Sequence, residues 1–114
     1  MKSFALTLDL KDDPELIARY KAHHRAVWPE VTSGLRGVGI LRMKIFLLGR
    51  RMFMYIEAPD DFEPARDFAG YMDSPRAREW DDMMRGFQKQ VPEAAGDEWW
   101  ASMEEVYDID WSQA

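Results

Sequence analysis

His23 and His24 are the two histidines of this 114-residue chain, and imidazole is the side chain that titrates near neutral pH without help from its surroundings. They are neighbours, so on a helix their rings diverge by about 100°. His24 shares a helical stripe with Leu16, Ile17, Tyr20 and Val27 and should point inward, which leaves His23 expected at the surface. Tyr20 lies one turn before His24 on the same face, so a phenol and an imidazole project together. Such a pair suits proton transfer, because both groups can donate or accept at neutral pH. An inward histidine beside a tyrosine is also what a satisfied core pair looks like, and spacing alone leaves both readings open.

Flat apolar rings are the next resource. Trp28, Trp80, Trp99, Trp100 and Trp111 are many for this length, and indoles both fill cores and stack on the C–H faces of sugars. Trp28 and Trp80 are the candidates for pocket walls, and Trp99, Trp100 and Trp111 read more simply as packing. Eight methionines read as gap filler in the core. Asp81 adjoins Trp80 and could reach a hydroxyl, although Glu79, Asp81 and Asp82 together also describe a solvated helix face.

Other chemistries fail on inventory. With no cysteine there is no thiolate nucleophile, disulfide framework or Cys-based zinc site. Two adjacent histidines diverge too far to anchor a metal, and Gly34, Gly37 and Gly39 lack the spacing of a phosphate-cradling loop. No metal and no cofactor are therefore expected. The net charge of −6 and the scattered basic residues speak against nucleic acid as a partner. No segment approaches the roughly 20 apolar residues of a membrane span, and the N-terminus is too short and too polar for a signal sequence. A cytoplasmic protein without a membrane partner is expected.

Elements must hold these residues in place. Phe4, Leu6, Leu8 and Leu10 alternate with smaller or polar residues as a half-buried strand. Asp12, Asp13, Pro14 and Glu15 open a helix that carries Tyr20 and His24. Pro29 interrupts it, and a second short helix over 30–35 stops at Gly37 and Gly39. Two strands over 41–48 and 52–57 join through Gly49, Arg50 and Arg51 as a hairpin. Helices are predicted from Asp60 to Met72 and, behind the Ser74 and Pro75 cap, over 76–88, with Trp80, Met84 and Phe87 along one side. The stretch 91–98 reads as loop, and alternation from Met103 to Ile109 predicts a last strand. The order βαββαβ defines a single α+β domain over 1–114 with a ferredoxin-like layout, helices on one sheet face. The other face needs cover, and a homodimer through it is the usual remedy.

Tyr20, His24, Trp28, Pro29 and Glu30, in that spacing, resemble the signature of the L-rhamnose mutarotase family. The likeness extends through 43–47, 52–57, Trp80 and 104–107. It implies a dimeric α+β barrel and a cofactor-free isomerase that interconverts the α and β anomers of a 6-deoxyhexose. It further implies His24 as catalytic proton donor, and Tyr20 and Trp80 as sugar contacts. Met43 stands where the family typically has a tyrosine, and Asp81 where it has a second tryptophan. The run Trp80 to Met84 followed by Phe87, Gln88, Pro92, Ala94 and Trp100 is similar to relatives associated with L-fucose, so the expectation leans from L-rhamnose to L-fucose. Because fold does not fix function, a cofactor-free oxygenase or decarboxylase and a non-catalytic ligand-binding dimer are the alternatives.

Overall fold

Alternation in the first ten residues makes the central strand β1 (Lys2–Leu10), with Leu8 and Leu10 fully buried on one side. The computed structural model describes residues 1–111, and nearly every strand contact in it involves β1 or its neighbour. β3 (Arg51–Ala58) runs antiparallel to β1 from Lys2↔Ala58 to Asp9↔Arg51. β2 (Arg42–Leu48) pairs with β3 from Arg42↔Glu57 to Leu48↔Arg51. Gly49 and Arg50 form the two-residue loop between them, and Gly49 takes φ +61. A positive φ at the first loop position alone is the pattern of a type II′ turn, where glycine is favoured.

The other edge of β1 is covered in two pieces. β4 (Gln88–Lys89) pairs with Leu10 and Asp9, and β5 (Ala101–Ser102) pairs with Thr7 and Leu6. Between them the chain leaves the sheet, and the Gln90 side chain ties that excursion down by donating to the carbonyls of Gly96 at 3.0 Å and Glu98 at 2.7 Å. The strand order β2-β3-β1-β4 is antiparallel throughout.

Four helices cover one face: α1 (Pro14–His24), α2 (Pro29–Gly37), α3 (Pro64–Tyr71) and α4 (Pro75–Arg85). Each begins with proline, whose missing N–H costs nothing at a first-turn position. Asp13 caps α1 by accepting from the amides of Glu15 at 2.9 Å and Leu16 at 3.3 Å, and Ser74 caps α4. Gly34 allows α2 to approach α3, because a Cβ there would stand 3.1 Å from the Tyr71 ring.

The ferredoxin-like α+β layout is the fold observed. Two details differ from the sequence reading. The last helix ends at Arg85, and Gln88 belongs to a strand: Gly86 stops the helix and Phe87 turns the chain back to β1. The strand predicted over 103–109 does not form. The last ladder bond runs from the Met103 amide to the Ala5 carbonyl at 2.8 Å, and beyond it Val106, Tyr107 and Ile109 stand exposed. Alternation makes a strand only where a neighbouring edge accepts its amides.

Two apolar clusters lie side by side on the helix face of the sheet, one around Leu8, Leu10, Tyr20, Met52, Trp80, Met84 and Phe87 and one around Ile40, Met54, Ile56, Ala58 and Phe62. Ile56, fully buried, is the test of this packing: Ile56→Ala should cost about 2–5 kcal/mol through lost burial and a cavity. Asp13→Ala, which removes only a cap, should cost about 1 kcal/mol. Urea denaturation of both variants checks the order of the two losses.

Candidate active site

The last turn of α1 brings Tyr20 and His24 together as their spacing demands. Their rings lie 4.3 Å apart between centroids at an angle of 32°. Tyr20 is buried and His24 half-buried. The His24 Nδ1 lies 3.0 Å from the Tyr20 carbonyl oxygen. A carbonyl only accepts, so this contact holds the proton on Nδ1 and leaves the Nε2 lone pair free.

Burial lowers the His24 pKa below its ordinary value, the bond to the Tyr20 carbonyl offsets part of this, and neighbouring His23 adds to the lowering. The imidazole is therefore neutral at pH 7. Burial also pushes the Tyr20 phenol up to about 12, against a smaller opposing effect of its bond to Gln88. The phenol keeps its proton. A neutral imidazole with one free lone pair beside a protonated phenol can take a proton from one oxygen and hydrogen-bond to another.

Indoles wall this pair. Trp80 on α4 meets His24 edge-on, centroids 5.5 Å apart, and Trp28 meets Trp80 at 5.2 Å. The Arg76 guanidinium lies 3.8 Å over the Trp28 ring while bonding Glu79 at 3.0 Å, so it holds Trp28 against α4. Asp81 is half-buried and paired with Arg85 at 3.0 Å. Burial raises its carboxyl, Arg85 opposes this, and Asp82 adds a little. The negative charge of Asp81 in turn contributes to the raised pKa of Tyr71, after burial, which places Tyr71 close by.

Met43 sits elsewhere. It is opposite Ile56 in the sheet and packs into the second cluster, while Ile45, two residues on, touches both clusters. The structure thus gathers Tyr20, His24, Trp28 and Trp80, sets Asp81 on the adjoining turn, and leaves Met43 one step along the same sheet face. His23 is not the surface residue expected. It is half-buried, 5.5 Å from Phe87 and 6.4 Å from Trp80 between centroids, because α1 ends here and both its flanks meet aromatic rings. Trp99 and Trp100 pack on the core.

Sequence reasoning missed Gln88, Tyr71 and Arg76. Gln88 is buried at 5% exposure with its Nε2 3.4 Å from the Tyr20 hydroxyl. The signal was Gly86, a helix stop two residues before it. A buried amide without a partner costs about 1–3 kcal/mol, and Tyr20 is the partner. Among the described residues no three His, Cys, Asp or Glu side chains gather as metal ligands, and no helix is long and apolar enough to cross a membrane. A cleft of about 300 Å³ lies by the β1 edge between Phe4, Phe53, Tyr55 and Phe68, away from His24.

Fold and site together define a ferredoxin-like α+β protein with a histidine and tyrosine under indoles, between helices and sheet. Comparison narrows the class. A family model of L-rhamnose mutarotases matches residues 3–109. An L-fucose mutarotase of Xanthomonas campestris pv. campestris is 37% identical over 109 residues, spanning 94% of this chain and 87% of that protein. A UPF0734 protein of Dictyostelium discoideum is 51% identical over 114 residues, spanning 96% of this chain and 91% of that one. The crystal structure of an L-rhamnose mutarotase from Formosa agariphila shares the fold with a TM-score of 0.71 at 19% identity, covering 96% of this chain and 100% of that one. The chain belongs to the L-rhamnose mutarotase family, a family of isomerases acting on sugars.

The lowered His24 pKa has a sign that can be tested. Above the ordinary imidazole value, about 6.5, the group is neutral folded and unfolded and adds nothing. As pH falls below it the unfolded chain takes up the proton first, so stability drops, and it levels off once folded His24 is protonated. Urea denaturation from pH 7.5 to 4.5 should show this decline, and His24→Gln should remove its share of the slope.

Proposed function

We propose that this protein interconverts the anomers of L-fucose in preference to L-rhamnose, with His24 as acid and base and Tyr20 as its hydrogen-bonding partner. The observation that carries the reading is the Nδ1 contact with the Tyr20 carbonyl, which frees Nε2 on a neutral ring. In this mechanism Nε2 takes the proton of the anomeric hydroxyl. The C1–O5 bond breaks toward O5, C1 becomes a carbonyl, and the imidazolium gives its proton to O5. Tyr20 keeps its own proton and hydrogen-bonds to O5 as charge develops there. Rotation about C1–C2 and the reverse steps close the other anomer. No bond order or proton is left over, and no cofactor enters.

Trp80 and Trp28 supply the stacking walls, and Asp81 sets the sugar. A carboxylate at Asp81 binds hydroxyls that an indole cannot. The 37% identity with an L-fucose mutarotase supports the same preference. Saturation transfer between anomeric proton signals measures the rate. His24→Ala should lose about 10²- to 10⁴-fold while remaining folded, with L-fucose ahead of L-rhamnose in the unmodified protein. A folded His24→Ala at full rate makes the imidazole a core residue and the mechanism wrong.

The second sheet face supports a homodimer as the working form. Phe46 and Phe53 lie there with centroids 6.1 Å apart, Phe46 54% and Leu48 85% exposed, on the side opposite the helices. A second copy of the same face would remove both rings from water. Sedimentation at micromolar concentration should give a dimer, and Phe46→Glu should give a folded monomer.

A further inference from the structure

We propose that Gln88 is a positioning residue for Tyr20: its amide N–H occupies a lone pair of the phenol oxygen, so the single phenol proton stays available for a substrate oxygen. The inference rests on the Tyr20 and His24 reading above. Three observations support it. Gln88 stands opposite Leu10 in the register, and Leu10 is buried under α1, so Gln88 points to the same side as Tyr20. Its strand is held firmly. The Lys11 amide donates to the Phe87 carbonyl at 2.9 Å, and Lys11 Nζ to the Gly86 carbonyl at 2.9 Å. The remaining buried polar residue among those described, Asp9, faces the other side of the sheet and is paired with Arg51.

The side chains nearest to it in sequence and register do not ask for an amide at this place. The residues that flank it, Leu10 opposite and Phe87 before it, are apolar core, and an apolar side chain of similar length would leave the buried Tyr20 hydroxyl without this donor. What the amide adds is a bond to Tyr20 Oη. A phenol has one proton and two lone pairs. If Gln88 donates, that proton is not spent on the protein, and the donation polarises the O–H toward a further acceptor. If the amide were turned with its oxygen toward Tyr20, the proton would be captured and Tyr20 could only accept. The two arrangements have opposite effects on the phenol, since donation to the oxygen favours the phenolate and acceptance from the hydroxyl favours the neutral form.

Fluorotyrosine incorporated throughout the protein brings phenol titration into an accessible range, and loss of one ¹⁹F signal in Tyr20→Phe assigns Tyr20. Gln88→Met should move that titration upward and lower kcat for L-fucose about 3- to 10-fold, the worth of one hydrogen bond, with a smaller change in KM. Gln88→Leu repeats the test if Met disturbs the packing. In a Tyr20→Phe background Gln88→Met should cause no further loss, because its partner is already gone. An unmoved or lowered titration overturns the donating role, and additive losses reduce Gln88 to packing. Full-rate Gln88→Met beside a defective Tyr20→Phe overturns the positioning role alone. Full-rate Tyr20→Phe overturns the catalytic reading of Tyr20 along with it.

Discussion

Taking an imidazole and a phenol out of water at one place governs most of what this protein can do. Desolvation keeps His24 neutral and Tyr20 protonated, which fixes the roles open to each before any substrate arrives. It also demands partners. The Nδ1 proton goes to a carbonyl one turn back, and the phenol is met by an amide from a strand 68 residues further along the chain. The first partner is local and comes free with helix geometry, whereas the second requires the whole sheet to be assembled correctly.

That division explains the shape of the fold. β1 is the axis, because its helix-side residues Leu8 and Leu10 underlie the site while Asp9 between them faces the other way and meets Arg51. The period of two therefore serves two surfaces with one strand. The helix side is closed by proline-started helices and aromatic rings. The opposite side keeps Phe46, Leu48 and Phe53 in the open, and the chain beyond Met103 carries Val106, Tyr107 and Ile109 out into solvent. The site and the uncovered face thus lie back to back across a single sheet, so covering one leaves the other accessible.

Much of this could be read from the sequence where a local rule decides the outcome. Tyr20 and His24 meet because a helix returns to the same face every fourth residue, and the break at Pro29 is a steric fact. The hairpin follows from Gly49 between two alternating runs. What could not be read depends on partners far away in the chain. A strand of two residues has no period, so Gln88 reads as the end of a helix and Lys89 as part of no element. The alternation of 103–109 is real, but nothing in a pattern says whether an edge is waiting for it. His23 looked exposed because a helical wheel shows only one stripe, and the wheel does not show Phe87 and Trp80 converging on the end of α1. Met43 shares the correct face and differs only by one step along the strand, a distance that a sequence does not display.

The interruption between β4 and β5 has a bearing on how such a chain can change over generations. Each half of that edge is bonded to β1 on its own, so the register of the sheet does not depend on how many residues lie between Lys89 and Ala101. Gln90 gathers the tip of the excursion by its carbonyls, and Val91, Trp99 and Trp100 anchor its two ends in the core, which leaves the mostly exposed stretch 92–97 as the part whose identities are largely unconstrained. Lengthening a surface loop carries a small entropic penalty. The segment is thus a place where insertions and deletions can accumulate beside the site without disturbing it, and a ready point for grafting new sequence onto the scaffold.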